Sequence, residues 1–499
     1  MFFALDLAFL VSLAGFAYAP DALGQAIIEV TPGFIVVPLI GLLQFWAKRL
    51  LVAGVIVGFL ACGVLAGAFA VDPRRRDRTV VLVGALPWVG AVVLGQLVAP
   101  GIVDLPSVLL TSGVGALTFF GALQLLSGVA TEQAARSPEE RSPSRRRALY
   151  GIAAISALVA VGSLAGGAAV RAVAKRAGGI PFVARRLRTK AAPPPALQAF
   201  ETLQGLTPRV TENADHYTVD TTLIKPSVEV AKWTLDIGGS VESPFSLTYD
   251  DLLDLDAVEQ LKTLECISND VGGELISTAL WTGVPLRDLL ARAKPAAGTY
   301  DVKLTSVDGY TDSIRIEKAM EPDTIVAYLM NGVTIPQDHG YPARLLVPNI
   351  YGMKNVKWLR SIECVTFDYL GYWMERGWSD TAIVNTNTRI DTPSRGVKWD
   401  GNAKIPIAGV AFAGARGVAT VEVSADGGRT FGAAELEPAL GPLTWVRWKL
   451  DWTPPGSGKF TLVARATDQT GARETEIQRE PFPNGATGWD RVEVTVTRG

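Results

Sequence analysis

The chain has 499 residues, with 47 Lys and Arg against 49 Asp and Glu and a net charge of −2; its length allows about three domains and excludes a single small module, and its balanced charge argues against a globally basic, nucleic-acid-binding surface. Three scattered cysteines, Cys62, Cys266 and Cys364, are too few for a disulfide framework or a four-cysteine zinc site, and two histidines, His216 and His339, exclude a histidine-rich metal centre. A mean hydropathy of +0.24 with 19% charged residues is too apolar for an ordinary soluble chain, so the apolar residues must be concentrated.

They lie in the first third. Stretches at about 1–19, 50–71, 79–98, 106–129 and 149–170 are each long enough for a hydrocarbon core of roughly 30 Å, which predicts a membrane domain of five transmembrane helices over 1–171. The stretch 34–46 is shorter, carries Pro38, and reads as interfacial or re-entrant. Connectors holding Arg74, Arg75, Arg76 and Arg78, and Arg136, Arg141, Arg145, Arg146 and Arg147, belong in the cytoplasm by the positive-inside rule. Everything after residue 171 then lies on the extracytoplasmic face of a multi-pass cell-membrane protein. Arg171, Lys175, Arg176, Arg185, Arg186, Arg188 and Lys190 oppose that orientation. A resolution is offered by 142–169 (SPSRRRALYGIAAISALVAVGSLAGGAA), which resembles an internally placed twin-arginine signal for exporting folded cargo; a plain basic juxtamembrane cluster is the alternative.

Residues 172–209 are basic and rich in Pro and Ala without strand alternation, and read as a tether over the membrane surface. From 210 to 385 short apolar strands alternate with short helices: WTLDIGG, YDVKLTS, TIVAYLM and ARLLVP read as strands, and PLRDLLARA as a helix begun by proline. This mixed α+β pattern lacks regular βαβ alternation and any Gly-rich dinucleotide fingerprint, so no NAD or flavin is expected. With no histidine in the apolar region and no C-x-x-C-H, no haem is expected either. Over 386–499, Val421, Val423 and Ala425 precede the turn Asp426-Gly427-Gly428, and Phe460, Leu462, Ala464 and Ala466, then Val492, Val494 and Val496, form further period-2 faces, which predicts a β-sandwich.

Two clusters carry chemistry. Cys266, in LKTLECISNDVGG, follows a β-type run and precedes a turn with Gly272-Gly273, where close backbone approach suits a soft metal ligand or a nucleophile; a buried structural cysteine is the bland alternative. In NGVTIPQDHGYPARLLVPNIYGMKNVKW, His339, Arg344, Lys354 and Lys357 stand among Gly and Pro, a set of fixed donors suited to a phosphate-bearing ligand or, more plainly, a solvated charged loop.

Together with WTGVPLRDLL, VDGYTDSI, VEVSADGGRTF and PNGATGWDRVEVTV, these segments occur in the order found in the sulfite oxidase family of molybdopterin enzymes, which the chain resembles from about 210 to 499. It also resembles an actinobacterial-type subgroup in which five membrane spans precede the catalytic region. The resemblance implies transmembrane α-helices, then a mixed α+β molybdopterin domain, then an immunoglobulin-like β-sandwich of the family's dimerisation type. It implies one Mo-molybdopterin per chain, with Cys266 as metal ligand. His339 and Arg344 match the pair holding the pterin and its phosphate; Met353, Lys354, Asn355 and Lys357 match the loop closing over it. Asp308 matches a pterin-contacting acid, Tyr310 a catalytic tyrosine donating to the oxo group or substrate, and Asn213, Tyr217 and Thr218 cofactor contacts near the entrance. Sulfite-oxidising members carry arginines where this chain has Asn269-Asp270-Val271 and Tyr217-Thr218-Val219-Asp220. Charges about 4 Å apart interact by about 4 kcal/mol at intermediate dielectric, so an acid in place of a cation disfavours dianionic sulfite. Arg447, near a family arginine but out of register, is not assigned a catalytic role.

The implied activity is two-electron redox, by oxygen-atom transfer, on a small extracytoplasmic substrate, with electrons passing to or from a separate carrier, a cytochrome or quinone-linked protein. The expected partners are that carrier, the lipid bilayer, the small-molecule substrate and a second copy of the chain; nucleic acid is not among them. An S-oxide or N-oxide reductase of methionine sulfoxide type, and a non-catalytic membrane scaffold keeping the fold, are the alternatives.

Overall fold

The computed structural model describes residues 1–12, 18–33, 35–36, 39, 43, 46–71, 78–98, 105–134, 179–223, 225–394 and 396–499. The chain divides into two compact units, Met1–Ala177 with Asp220–Pro226, and Gly178–Val219 with Ser227–Gly499.

The first unit is helical: α1 (Phe2–Ser12), α2 (Ala19–Val30), α3 (Ala47–Val71), α4 (Arg78–Val98) and α5 (Leu105–Ala134). Three stretches within them, Ala47–Phe69, Thr79–Leu97 and Leu105–Gln124, are long and apolar enough to cross a membrane. Small residues let these helices approach: the Trp88 ring lies against Gly115, and Phe59 meets Trp88 edge-on at 4.9 Å. Val64, Leu82, Leu97 and Leu117 face outward, as on a surface solvated by lipid. Of the expected first span, Phe2–Ser12 is helical and 13–17 lie outside the described residues; α2 follows an extended Tyr18 with Pro20 in its first turn. The stretch 149–170, Arg145 and Arg146, the other connector arginines apart from Arg78, and most of 34–46 lie outside the described residues. Asp220–Pro226 joins this unit through the Leu223 N–H on Gln25 Oε1 (2.7 Å) and Lys48 Nζ on the Thr222 carbonyl (2.8 Å).

In the second unit one sheet has the order β1-β4-β5-β8-β10 (Leu187–Thr189, Ala257–Glu265, Ile276–Pro285, Ile325–Met330, Arg344–Leu346), with β9 (Val333–Thr334) paired to β8. Another has the order β3-β2-β11-β6-β7 (Phe245–Thr248, Thr234–Gly239, Leu359–Val365, Asp301–Ser306, Thr311–Arg315). The four expected strands are β2, β6, β8 and β10. The expected helix is Leu286–Ala293, burying Leu286, Leu289, Leu290 and Ala293 and ending at a left-handed Lys294. β8 is buried throughout, which is why it reads as a continuous apolar run, and β5 is buried at all but one position.

The C-terminal region is β-rich. β12 (Asn387–Thr392), β14 (Ile405–Phe412), β18 (Val446–Trp452) and β17 (Glu435–Leu436) form one sheet; β13 (Val397–Trp399), β20 (Asp490–Arg498), β19 (Gly458–Asp468), β15 (Val418–Ser424) and β16 (Gly432–Ala433) form the other. The predicted inward faces, Val421 and Val423, Leu462, Ala464 and Ala466, Val494 and Val496, share one core with Ile407 and Trp448. Burial of each large side chain there contributes roughly 1.5–3 kcal/mol.

The segment 172–209, expected as a tether over the membrane surface, is described from Gly179 onward. There it is packed on the second unit: Ile180 exchanges hydrogen bonds with Thr334, and β1 pairs in parallel with β4. Its arginines meet aspartates of the globular body, Arg185 with Asp250 (2.8 Å) and Asp254 (2.9 Å), Arg188 with Asp256 (3.0 Å) and Asp288 (3.1 Å). Composition revealed the basic run; its counter-charges stand about 65 to 100 residues away in sequence.

Candidate functional site

β4 delivers Cys266 at its C-terminal end, and the loop 266–275 returns the chain to β5. Asn269 staples that loop, accepting the Leu275 N–H at 2.9 Å and donating to Glu265 at 3.1 Å, while the Cys266 N–H donates to the Leu275 carbonyl at 2.9 Å. Gly272 has φ +72°, and a Cβ there would stand 2.6 Å from Asp490 Oδ1; at Gly273 it would collide with the Asn269 amide. The glycine pair therefore serves close backbone approach, as the sequence suggested. Cys266 is buried with Sγ 3.0 Å from Ser268 Oγ. Burial pushes its thiol pKa up, the Ser268 hydrogen bonds oppose this, and Glu265 adds to the rise. Burial likewise raises Glu265 to about 7, against hydrogen bonds from Asn269 and Asn387. Among the described residues no three His, Cys, Asp or Glu side chains converge on a point that could hold a metal ion.

A second wall is cationic. Arg344 is buried, donates to the carbonyls of His339 (3.0 Å) and Asn355 (3.1 Å), and keeps a buried Nε without a partner among the described residues. Lys262, on β4, is 2% exposed and donates to the neutral Asn355 Oδ1 at 3.2 Å. Asn355 also accepts the Val347 N–H and donates to the Ile350 and Tyr351 carbonyls, so it organises the loop rather than facing a ligand. His339 Nε2 lies 2.7 Å from the Asn213 carbonyl, and the Asn213 side chain pairs with Asn331. Lys357 lies over the Trp358 ring and near the Val219 and Asp338 carbonyls. Burial drives Lys262 well below the usual ammonium range, with Arg344 adding to the effect, and lowers Arg344 to about 10. Neither has a carboxylate in ion-pair contact among the described residues. Burying unpaired charge costs several kcal/mol per group, so this wall fits an anionic ligand such as a phosphate. The thiol wall fits a soft metal. Tyr217 ties the two together: burial raises its hydroxyl pKa, the Cys266 charge raises it further, and Arg344 opposes. A Cβ on Gly352 would stand 2.5 Å from that hydroxyl, so glycine is required where the 352–355 turn passes it. Thr218 follows Tyr217, half-buried.

The remaining expected residues gather around Asp312. Tyr310 donates toward Asp312 Oδ2 (2.8 Å) and the Met353 carbonyl (3.0 Å), rather than presenting a free proton to a ligand. The Lys354 ammonium contacts Asp312 (3.0 Å), the Ser313 carbonyl (2.9 Å) and Asp380 (3.2 Å). Asp308 accepts the Tyr310 N–H at 3.1 Å. Tyr310, Met353, Lys354 and Asp308 thus brace the loop 352–357 from within. Arg447, left unassigned, is structural: it pairs with Glu437 at 2.7 Å and with Glu201.

Sequence reasoning passed over Lys262, His216, Glu265, Tyr351 and Asp312. Lys262 lies where five consecutive strand residues are buried, so no alternation flags it. His216 could have been found by scarcity, as one of two histidines only four residues before Asp220 in the entrance segment.

Comparison with known proteins matches residues 222–373 to the oxidoreductase molybdopterin binding domain. The chain is 29% identical to mitochondrial sulfite oxidase of Mus musculus over 281 residues, covering 47% of this chain and 51% of that protein. It is 29% identical to the NADH nitrate reductase of Spinacia oleracea over 268 residues, covering 42% of this chain and 29% of that protein. The chain thus spans about a third to a half of the curated relatives it matches. The sulfane dehydrogenase SoxCD structure from Paracoccus pantotrophus shares the fold, with a TM-score of 0.51 and 23% identity over 60% of this chain and 86% of that one. Residues 222–373 thus match the oxidoreductase molybdopterin binding domain, and the chain is similar to sulfite oxidase and nitrate reductase.

Proposed function

We propose that the protein is a membrane-anchored molybdenum enzyme that oxidises or reduces a small extracytoplasmic substrate and exchanges electrons with a separate carrier. One observation carries this reading: the matched domain holds a buried thiol, Cys266, and two buried cations, Lys262 and Arg344, that have no carboxylate in ion-pair contact among the described residues. Mo-molybdopterin, when bound, supplies two-electron oxygen-atom transfer.

The chain's own residues have separable tasks. Cys266 holds the metal, and the Asn269 staple with Gly272 and Gly273 fixes the direction of its Sγ. Arg344, Lys262, His339 and Lys357 hold the anionic end of the cofactor. Asn355 keeps Arg344 and Lys262 in place by accepting from both. Ser268 is the hydroxyl in contact with the thiol, at 3.0 Å, the charge of Cys266 is also felt by the Tyr217 and Tyr351 hydroxyls, and Tyr310 orients the Met353 turn. Asp270, in place of a cation, disfavours a dianionic substrate. The three long apolar helices support anchoring, and the paired C-terminal sheets support an immunoglobulin-like region suited to a homodimer.

Molybdenum and pterin assays on protein extracted from membranes test the reading directly, with one of each per chain expected. Cys266→Ser should abolish turnover and alter the metal's spectroscopic signature; an unchanged signature would end the proposal. Candidate S-oxides and N-oxides, titrated against a reduced dye, separate a reductase from an oxidase.

A further inference from the structure

We infer that His216 holds the molybdopterin proposed above through Nε2, as the acceptor of a hydrogen bond from an N–H group of the pterin ring system. The inference rests on the functional reading and adds to it a residue that neither motif nor comparison assigns.

His216 is 3% exposed, and its Nε2 is buried without a partner among the described residues. Its Nδ1 lies 3.2 Å from the Tyr217 carbonyl, which accepts only, so Nδ1 carries the ring hydrogen and Nε2 is a bare lone pair. Burial disfavours the charged ring, and His339, Arg344 and Lys357 oppose it further, so the ring stays neutral. Its aromatic neighbours belong to the candidate site or pack beside it: Tyr217 stacks at 5.5 Å, His339 meets it edge-on at 5.2 Å and Trp281 at 5.9 Å.

The chemistry of the lone pair selects the ligand atom. An ionised phosphate offers acceptors only and suits Arg344, Lys262 and Lys357; it cannot bond a bare imidazole nitrogen. A reduced pterin carries ring and exocyclic N–H donors, the complement that the cationic side chains cannot provide. A buried acceptor left unpaired is a standing cost, which such a donor removes. His216 is therefore a binding residue for the ring system, beside side chains that bind the phosphate.

The test uses the full chain, extracted in detergent, as parent, His216→Phe and His216→Gln. Phe keeps a ring of similar size without an acceptor; Gln keeps an acceptor without the ring. Molybdenum and pterin per chain are measured, then the rate at which pterin leaves the protein, and folding is read separately from melting of chain made in cells unable to synthesise the pterin. The expected result is release about tenfold faster for His216→Phe, near-parental release for His216→Gln, and unloaded melting close to parent for both. A loaded parent with His216→Phe releasing at the parental rate overturns this inference alone, as does His216→Gln releasing as fast as His216→Phe. A parent that holds no pterin overturns the functional reading, and this inference with it.

Discussion

The buried cations of the second unit fall into two groups. Arg447 is met by Glu437 and Glu201, and Lys354 by Asp312 and Asp380. Lys262 and Arg344, equally buried, hydrogen-bond among the described residues only to amide and carbonyl oxygens. Where a cation serves the fold, this chain supplies a carboxylate within about hydrogen-bond reach; where it does not, the missing charge belongs to something else. The contrast locates a ligand by its omission from an otherwise complete pairing scheme.

Four measurements would break or sharpen the contrast. Arg447→Met removes the nearer of two arginines from the buried Glu437, leaving Arg209 at 3.5 Å, and should cost about 3 kcal/mol in stability by denaturation. A loss under about 1 kcal/mol would mean that pairing is not what the fold uses Arg447 for. Lys262→Met should go the other way in unloaded protein, leaving it as stable as the parent or up to about 1 kcal/mol more so, because an unpaired ammonium leaves the core. The same variant should load markedly less pterin; destabilised unloaded protein would place Lys262 with the structural group.

The third measurement concerns a buried anion. Burial holds the Glu474 carboxyl well above its ordinary 4.5, despite donations from Thr388 and Ala466. The folded state therefore keeps this proton at pH values where the unfolded chain has released it. Its contribution to stability is full below about 4.5 and is lost as pH rises through the folded value. Glu474→Gln should flatten that part of the pH-stability curve, and an unchanged slope would show that another group carries it. The smallest effect is expected at the surface: Arg185→Gln and Arg188→Gln, whose partners are solvent-exposed, should lower the melting temperature only slightly, and not at all in molar salt.

Strands β2 and β6 and the helix Leu286–Ala293 were legible from their periodicity, and β8 and β10 as short apolar runs. Cys266, His339 and Arg344 were legible because their residue types are rare or set in a dense motif. What stayed hidden depends on distant pairing. The Tyr310 hydroxyl turns to Asp312, two residues on, but its second acceptor is a carbonyl 43 residues away, which nothing near Tyr310 announces. Lys354 looks like a ligand-facing cation until Asp312 and Asp380 are placed beside it. The aspartates that meet the arginines after residue 184 are likewise far away in sequence.

The Cys266 loop is gripped from outside its own domain. Asn387 donates to Glu265 at 3.0 Å, Arg389 to the Gly273 carbonyl at 3.0 Å, and Trp445 to Thr263 at 2.9 Å, while Asp490 lies against Gly272. The C-terminal strands are consequently no detachable appendage. Amputating them at residue 386 would not yield a minimal enzyme but a thiol on a slack hinge, with a hydrophobic flank laid bare, and any evolutionary exchange of that region would have to reproduce its handholds.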